Sequence, residues 1–257
     1  MTQLRIAVAG GTGWIGRLVV AAAQEARHDT VVLARSKGVD LVSGRGVAEA
    51  LKGADVVIDV ANVNSTSRAR ATSFFEAETR TLLDAEAKTG VAHHVALSIV
   101  GIDRVDLGYY RAKRRQEELI GAGSVPSTIL RATQFFEFAA QMAGHAAGPF
   151  VPAPRMLCRP VAAREVAAEL VRIAAGPPRG RATDIAGPQE LWMQEMVRQF
   201  IRARGLRRIA VPIRFPGWPG REQANGGLLP RGEVTLGRIP YASWLSSPDG
   251  RVTARSA

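Results

Sequence analysis

Residues 6–16 read IAVAGGTGWIG, an apolar run that leads into a glycine cluster and then into a helical pattern. Gly11, Gly13 and Gly16 have GxGxxG spacing, and Gly10, Gly13 and Gly16 have the GxxGxxG variant. Glycine permits the positive φ of a tight turn, and its bare backbone lets a pyrophosphate approach the N-terminus of the next helix. The stretch therefore predicts a dinucleotide-binding turn between a strand and a helix. The expected cofactor contacts in this turn are Gly10, Thr12, Gly13, Trp14, Ile15 and Gly16.

Short apolar runs alternate with helical patterns through the first half of the chain, as in a parallel sheet with crossover helices. Strands are predicted at 4–9, 30–34, 39–42, 55–60, 92–98 and 127–131, and helices at 14–26, 46–52, 67–89 and 109–121. Two further helices are predicted near 163–175 and 191–203, among segments rich in Pro and Gly. We therefore predict an α/β protein with a Rossmann-type, doubly wound parallel sheet at residues 1–134. A small C-terminal substrate lobe at 135–257 is expected to interleave with it as a single structural unit.

The composition indicates a soluble globular protein. A chain of 257 residues with 46% apolar content can bury a full core. No apolar run approaches the ~20 residues of a membrane helix, and glycines interrupt the apolar N-terminus where a signal peptide needs a continuous segment. We therefore expect a cytoplasmic protein with no membrane partner. The single cysteine, Cys158, excludes an internal disulfide and a cysteine-based metal cage, and it is expected to be buried.

The net charge of +11 does not by itself predict a nucleic-acid partner. The basic residues are scattered along the chain, without aromatic stacking residues beside them, and only four of the 34 are lysines, as in proteins from GC-rich genomes. The adjacent His93 and His94 lie in a predicted strand, so their side chains point to opposite faces and cannot share a metal ion. We expect a small-molecule substrate, no nucleic acid, no metal, and a monomer or homodimer.

The end of the second predicted strand indicates which nicotinamide nucleotide is used. NAD-binding turns carry an acid about 20 residues after the glycine loop, to bind the adenosine ribose. This chain has Arg35 and Ser36 there, which can bind a 2′-phosphate, so the sequence favours NADP(H). Asp40 is an alternative ribose-binding acid, but it follows a separate short predicted strand. We assign Asp40 and Leu41 to the adenine edge.

A second group of residues has the side chains that a carbonyl reduction requires. Ser98 ends a predicted strand, and Tyr109 and Lys113 lie four residues apart on one face of the next predicted helix. Hydride addition to a carbonyl requires a proton donor, and a phenol with its usual pKa of ~10 is a weak one at neutral pH. The Lys113 ammonium and the oxidised nicotinamide ring would lower the pKa of Tyr109, while Ser98 binds the substrate oxygen. Lys113 could also hold the nicotinamide ribose. Tyr110 is the alternative phenol, at a spacing of three.

The glycine loop together with Ser98, Tyr109 and Lys113 resembles the short-chain dehydrogenase/reductase superfamily, over about residues 4–190. The branch it resembles is the extended or atypical one, whose members include NmrA-like NAD(P)-binding proteins and NAD-dependent epimerases and dehydratases. The resemblance implies that residues 39–41 contact adenine, and that residues 159–167 belong to the C-terminal lobe. It also implies cofactor contacts by Ala61, Asn62, Ala132 and Thr133. The usual Asn-Asn-Ala-Gly element is missing, since residues 60–64 read VANVN, which favours the extended or atypical branch.

The predicted function is an NADPH-dependent oxidoreductase that reduces a carbonyl of a small, fairly apolar molecule, with Tyr109 as proton donor. This places the enzyme among the nicotinamide-dependent dehydrogenases that act on CH–OH groups. One alternative is an NADP(H)-binding regulatory or redox-sensor protein of the NmrA type, since some members of the branch lose the tyrosine. The third is a sugar-nucleotide epimerase or dehydratase, against which stands the absence of a clear second nucleotide site.

Overall fold

The structure is a computed structural model that describes residues 2–65 and 67–251. Its strands are β1 (Arg5–Ala9), β2 (Asp29–Leu33), β3 (Val56–Asp59), β4 (His93–Ile99), β5 (Ser127–Ala132), β6 (Phe150–Pro154), β7 (Leu157–Cys158), β8 (Gly180–Arg181), β9 (Ile185–Ala186), β10 (Leu191–Trp192), β11 (Ile209–Ile213) and β12 (Thr235–Leu236). Its α-helices are α1 (Trp14–Glu25), α2 (Val47–Ala50), α3 (Arg68–Thr89), α4 (Gly108–Ala122), α5 (Phe138–His145), α6 (Ala163–Ala174), α7 (Met193–Ala203), α8 (Gly217–Ala224) and α9 (Tyr241–Ser246). Short 3₁₀ turns lie at Arg35–Lys37 and Asp249–Arg251.

The described chain forms two compact units. Unit 1 comprises the residues up to Ile99, Leu107–Arg131 and Val166–Ala182. Unit 2 comprises Val100–Asp106, Ala132–Glu165 and the described residues from Thr183 onward. The assignment of cofactor binding to residues 1–134 and of substrate binding to 135–257 stays a prediction.

Unit 1 is a Rossmann-like arrangement of a mostly parallel sheet flanked by helices. Its strand order is β5-β4-β3-β1-β2, and the pairs β2–β1, β1–β3 and β3–β4 are parallel. β2 lies on one side of β1, and β3, β4 and β5 follow in order on the other side. The strand order therefore reverses between β1 and β3. Ligands of open α/β sheets bind at the carboxyl ends of strands at such a reversal. The glycine turn after β1 lies at this position.

Local sequence signals explain the helices of unit 1 that border the site. The Ser67 hydroxyl accepts a hydrogen bond from the Arg70 amide and caps the N-terminus of α3, and Gly90, with φ of 79°, ends the helix in the left-handed region. Gly108 begins α4 against Arg68, where a Cβ would lie only 2.8 Å from the Arg68 Cβ. A glycine at 108 therefore lets α4 start close to α3.

One predicted strand of unit 1 is wrong. Residues 39–42 form a turn, because the Asp40 carboxylate accepts hydrogen bonds from the amides of Val42 (3.0 Å) and Ser43 (3.4 Å). The Gly44 amide also donates to the Asp40 carbonyl at 2.9 Å. The predicted helix 46–52 is only the four residues of α2. The remaining predicted strands and helices are present, with ends that differ by one or two residues.

Unit 2 contains two small sheets and an aromatic core. β6 pairs with β11 in parallel, and β7 pairs with β10 antiparallel. Phe136 packs against Tyr241 and Trp244, with ring centroids 5.1 and 5.6 Å apart. Cys158 is buried as predicted, and burial raises the pKa of its thiol to about 12.

The described part of the chain has neither a membrane-spanning helix nor a cluster of metal-binding side chains. None of its helices is long and apolar enough to cross a membrane. His93 and His94 have separate partners, since the His93 ring nitrogen lies 2.8 Å from the Thr128 hydroxyl and His94 lies 2.8 Å from Glu86. Within residues 2–65 and 67–251, no group of three or more His, Cys, Asp and Glu side chains could hold a metal ion.

Candidate active site

The glycine turn in unit 1 is closed so tightly that it excludes side chains. Gly10 has φ of 75°, and a Cβ there would lie 2.8 Å from the Ala61 Cα. A Cβ on Gly16 would lie 2.1 Å from the Gly10 carbonyl oxygen. The backbone is therefore bare where a phosphate group has to approach it, so the turn fits a dinucleotide.

The N-terminus of α1 is available to an anion. Gly13 is the capping residue and supplies no side-chain hydrogen bond, and the first turn of the helix has no acidic residue. The first turn of α1 therefore supplies no carboxylate that would neutralise the positive end of the helix dipole. Thr12 is exposed, Trp14 and Ile15 are half-buried, and the Thr12 carbonyl accepts a hydrogen bond from Arg17 at 3.1 Å.

The turn after β2 presents positive charge. Arg35, Ser36 and Lys37 form an exposed 3₁₀ turn, and the Arg35 side chain has no hydrogen bond or ion pair with any described residue. A shallow depression lined by Gly11, Thr12 and Lys37, among others, joins this turn to the glycine loop. The guanidinium of Arg35 is therefore free to bind an anionic ligand.

Asp40 and Leu41 have structural partners in unit 1. The amides of Val42 and Ser43 hold the pKa of the Asp40 carboxyl below its usual value. Leu41 packs against the apolar cluster that contains Leu33 and Val39. The Asp40 carboxylate therefore has backbone donors already, which weakens the alternative that it binds a ribose.

Tyr109 and Asn62 are brought together. The Tyr109 hydroxyl donates a hydrogen bond to the Asn62 side-chain oxygen at 2.7 Å. The same oxygen accepts the Val63 amide at 2.8 Å, which fixes the orientation of the Asn62 amide group. The neighbouring Ala61 amide donates to Asp59 Oδ1 at 2.9 Å, so the segment after β3 is held by side chains on both sides.

Tyr109 and Lys113 share one aromatic platform, Phe75 of α3. The Tyr109 ring meets the Phe75 ring edge-on, with centroids 5.9 Å apart, and Lys113 Nζ lies 4.8 Å from the Phe75 centroid. Lys113 Nζ also donates to the Leu97 carbonyl at 2.7 Å and to Gln116 Oε1. Tyr109 and Lys113 therefore share one face of α4, as the spacing predicts, and this face packs against α3 within unit 1.

Burial controls the protonation of both groups. It raises the pKa of Tyr109 above 10, with a further increase from Tyr110 and a smaller opposing effect of Asn62. Burial also lowers the pKa of Lys113, against the attraction of Asp59, Glu78 and Glu117. The sequence argument expected Lys113 to lower the pKa of Tyr109, whereas here desolvation of the phenol dominates and keeps it protonated.

The other predicted site residues differ in their surroundings. Ser98 in β4 is only 3% exposed, and its hydroxyl has no hydrogen-bond partner among the described residues. Ala132 and Thr133 belong to unit 2, where Ala132 pairs with Ile185 and the Thr133 hydroxyl donates to the Arg159 carbonyl at 2.6 Å.

Sequence reasoning missed two residues that hold the candidate catalytic pair, Phe75 and Gln116. Gln116 lies three residues after Lys113, so helical spacing could have indicated that it shares the face of Lys113. Phe75 comes from a different helix, and no spacing in the sequence relates it to α4.

Comparisons with known proteins show which family and fold the chain has. A family model described as NAD(P)H-binding matches residues 10–175, which is more than half of the chain. No curated protein sequence matches the chain significantly.

Solved structures share the fold. A short-chain dehydrogenase/reductase superfamily protein from Agrobacterium tumefaciens with bound NAD is 17% identical, with a TM-score of 0.70 over 98% of this chain and 97% of that one. UDP-N-acetylglucosamine 4-epimerase from Bacillus cereus is 17% identical, with a TM-score of 0.70 over 94% and 93%. dTDP-4-dehydrorhamnose reductase from Bacillus anthracis, in complex with NADP, is 12% identical, with a TM-score of 0.67 over 83% and 85%. The chain belongs to the NAD(P)H-binding family and has the fold of the short-chain dehydrogenase/reductase superfamily.

Proposed function

We propose that this protein is an NADPH-dependent oxidoreductase that reduces a carbonyl group of a small, fairly apolar molecule. The observation that carries the proposal is the packing of Tyr109 and Lys113 on one ring, Phe75, in the unit that also contains the glycine turn. A phenol and an ammonium held on one face supply a proton donor and a positive charge beside it.

The roles of the side chains follow from their chemistry. The nicotinamide cofactor, when bound, supplies the hydride. Tyr109 donates its phenolic proton to the carbonyl oxygen. Burial raises the pKa of the phenol, which keeps the proton in place at neutral pH but makes Tyr109 a weaker donor, so the transfer depends on positive charge close by. The Lys113 ammonium stabilises the phenolate that remains after the proton leaves. Ser98 has an unused hydroxyl and binds the same substrate oxygen.

The turn after β2 supports NADPH over NADH. Arg35 is exposed and unpaired among the described residues, and Ser36 and Lys37 share its turn. A guanidinium can bind a 2′-phosphate through two parallel hydrogen bonds. Asp40, the next acidic residue along the chain, accepts hydrogen bonds from backbone amides of its own turn.

One set of contacts favours a second candidate, a regulatory protein that binds NADP(H) without turnover. The Tyr109 hydroxyl donates to Asn62, and Lys113 Nζ donates to Leu97 and Gln116. Ser98 is almost fully buried. Each predicted catalytic group is thus directed at protein atoms or covered by them, as in a site that binds cofactor only. A third candidate, a sugar-nucleotide epimerase, is supported only by likeness of fold to the 4-epimerase.

The test combines cofactor titration with a matched pair of variants. NADPH and NADH binding would be followed by fluorescence, and NADPH consumption would be screened over ketones, aldehydes and enones. We expect Tyr109→Phe to bind NADPH like the wild type but to lose turnover by roughly 10²- to 10⁴-fold, since it lacks the acid. Tyr110→Phe, the matched control on the same helix, should keep both binding and turnover.

The remaining outcomes separate the candidates. Tight NADPH binding without turnover in the wild type would favour the regulatory protein. Conversion of nucleotide sugars with tightly retained oxidised cofactor would favour the epimerase. If neither nicotinamide nucleotide binds, the proposed function is wrong.

A further inference from the structure

Around Lys113, unit 1 buries three further polar side chains that the proposed reaction does not use. Together with Lys113 they form what we call the buried cluster, which consists of Asp59 on β3, Glu78 on α3, and Lys113 and Gln116 on α4. Their exposures are 2%, 0%, 5% and 2%, respectively. Polar groups buried this deeply need partners, because an unpaired buried charge is strongly destabilising.

Gln116 connects the lysine to the carboxylates. Its side-chain oxygen accepts a hydrogen bond from Lys113 Nζ. Its side-chain nitrogen donates to Asp59 Oδ2 at 2.8 Å and reaches Glu78 Oε2 at 3.5 Å. The amide has a cation on its acceptor side and carboxyl groups on its donor side, so its orientation is determined.

The buried cluster places carboxyl groups close to Lys113. Burial and the neighbouring Asp59 raise the pKa of Glu78 well above its usual value, which favours its protonated form. Asp59 exerts the strongest attraction on Lys113, and Gln116 is hydrogen-bonded to both residues. Glu117 also attracts Lys113 from the same helix, and His94 on β4 lies within electrostatic reach of both Lys113 and Asp59.

We propose that Gln116 is a positioning residue that holds the Lys113 ammonium against the Leu97 carbonyl and links it to Asp59. Without Gln116, Lys113 would keep the Leu97 carbonyl and the Phe75 ring but lose its connection to the carboxylates. The ammonium would then be buried with fewer acceptors, and its neutral form would gain stability. This inference rests on the proposed function only for what Lys113 does.

The direct test is the titration of Lys113 itself. The chain has only four lysines, so selective ¹⁵N labelling of lysine gives four Nζ signals, and the Lys113 signal is the one lost in Lys113→Met. Titration would compare the wild type with Gln116→Met, which keeps the length of the side chain but removes its hydrogen bonds. We expect the pKa of Lys113 to fall in this variant by about one unit, a tenfold change in proton affinity.

A second variant and a control separate positioning from structural support. Gln116→Glu retains an acceptor for Lys113 and should move the Lys113 titration in the opposite direction, upward. Tyr241→Phe removes a buried hydrogen bond of 3.0 Å to the Met196 carbonyl in unit 2, outside the buried cluster, so it should lower stability and leave the Lys113 titration unchanged. We also expect Gln116→Met to weaken NADPH binding about tenfold, and Gln116→Glu to restore it.

Opposite shifts in the two Gln116 variants would support the proposal. It would be overturned if Gln116→Met, or Gln116→Glu where the former does not fold, left Lys113 titrating as in the wild type. The pKa of Lys113 could shift as expected while neither the wild type nor any variant binds NADPH. In that case the positioning role of Gln116 stands and the proposed function is wrong.

Discussion

Tyr109 and Lys113 show how burial acts on an acid and a base one helical turn apart. Removal from water disfavours the charged form of each, so the pKa of Tyr109 rises and that of Lys113 falls. The first shift favours the protonated phenol, whereas the second disfavours the ammonium, so the charged form of Lys113 depends on its carboxylate neighbours. A spacing of four residues predicts the shared face, but it does not predict how deeply that face is buried.

Arg35 is the residue on which the choice of nucleotide depends. Arg35→Ala should weaken NADPH binding by roughly 10- to 100-fold, the range expected for one charge-assisted contact, and leave NADH binding nearly unchanged. Fluorescence titration with both nucleotides measures the two affinities. Arg5→Ala is the matched control, since it removes an exposed arginine from the start of β1, whereas the glycine turn follows its end. Equal losses for NADPH and NADH would contradict a 2′-phosphate contact.

At the scale of elements, the strand–turn–helix unit of β1 and α1 depends on glycine at position 16. Gly16→Ala places a Cβ 2.1 Å from the Gly10 carbonyl oxygen, so the glycine turn has to move. We expect a loss of about 1–3 kcal/mol of unfolding free energy and weaker NADPH binding, measured by urea unfolding and by titration.

Gly121 is the control for this change, because it lies within α4 and a Cβ there meets nothing within 4 Å. Gly121→Ala should stabilise the protein by about 0.5–1 kcal/mol and leave NADPH binding intact. If Gly16→Ala bound NADPH as tightly as Gly121→Ala does, the glycine turn would not be the phosphate site.

The elements that the sequence predicted correctly are those with strong local signals. β1, α1, α3 and α4 each have a regular pattern of apolar residues or a clear cap. The predicted strand at 39–42 fails because Asp40 bonds two following amides, and this turn chemistry outweighs the β propensity of Val39 and Val42.

At the scale of the whole molecule, the candidate site was predictable only where its residues are close in sequence. Ser98, Tyr109 and Lys113 were found from strand ends and helical spacing. Phe75 and Asp59 were not, since they belong to two other elements and meet α4 only in the folded structure, Phe75 through its ring and Asp59 through a hydrogen bond. Sequence patterns thus identified the groups proposed to react, and only the structure identified those that hold them.

The stability of the whole molecule should depend on pH through Glu137. Burial, with a further effect of Asp249, raises the pKa of this carboxyl in unit 2 from 4.5 to about 8. The folded protein thus keeps a proton that the unfolded chain releases above about 4.5, so the stabilisation is complete below that pH. It is lost progressively as the pH rises through about 8.

We therefore expect the free energy of unfolding in urea to fall between pH 5 and 8, and this fall to be smaller in Glu137→Gln, which is neutral throughout. One proton corresponds to about 1.4 kcal/mol per pH unit, which is the largest difference in slope that a single carboxyl can cause.

Glu190→Gln, at an exposed position, is the control: its free energy of unfolding should change with pH as that of the wild type does. A parallel course for Glu137→Gln would mean that the Glu137 carboxylate ionises in the folded protein as easily as in the unfolded chain. The aromatic core around Phe136, Tyr241 and Trp244 would then admit water at this carboxyl.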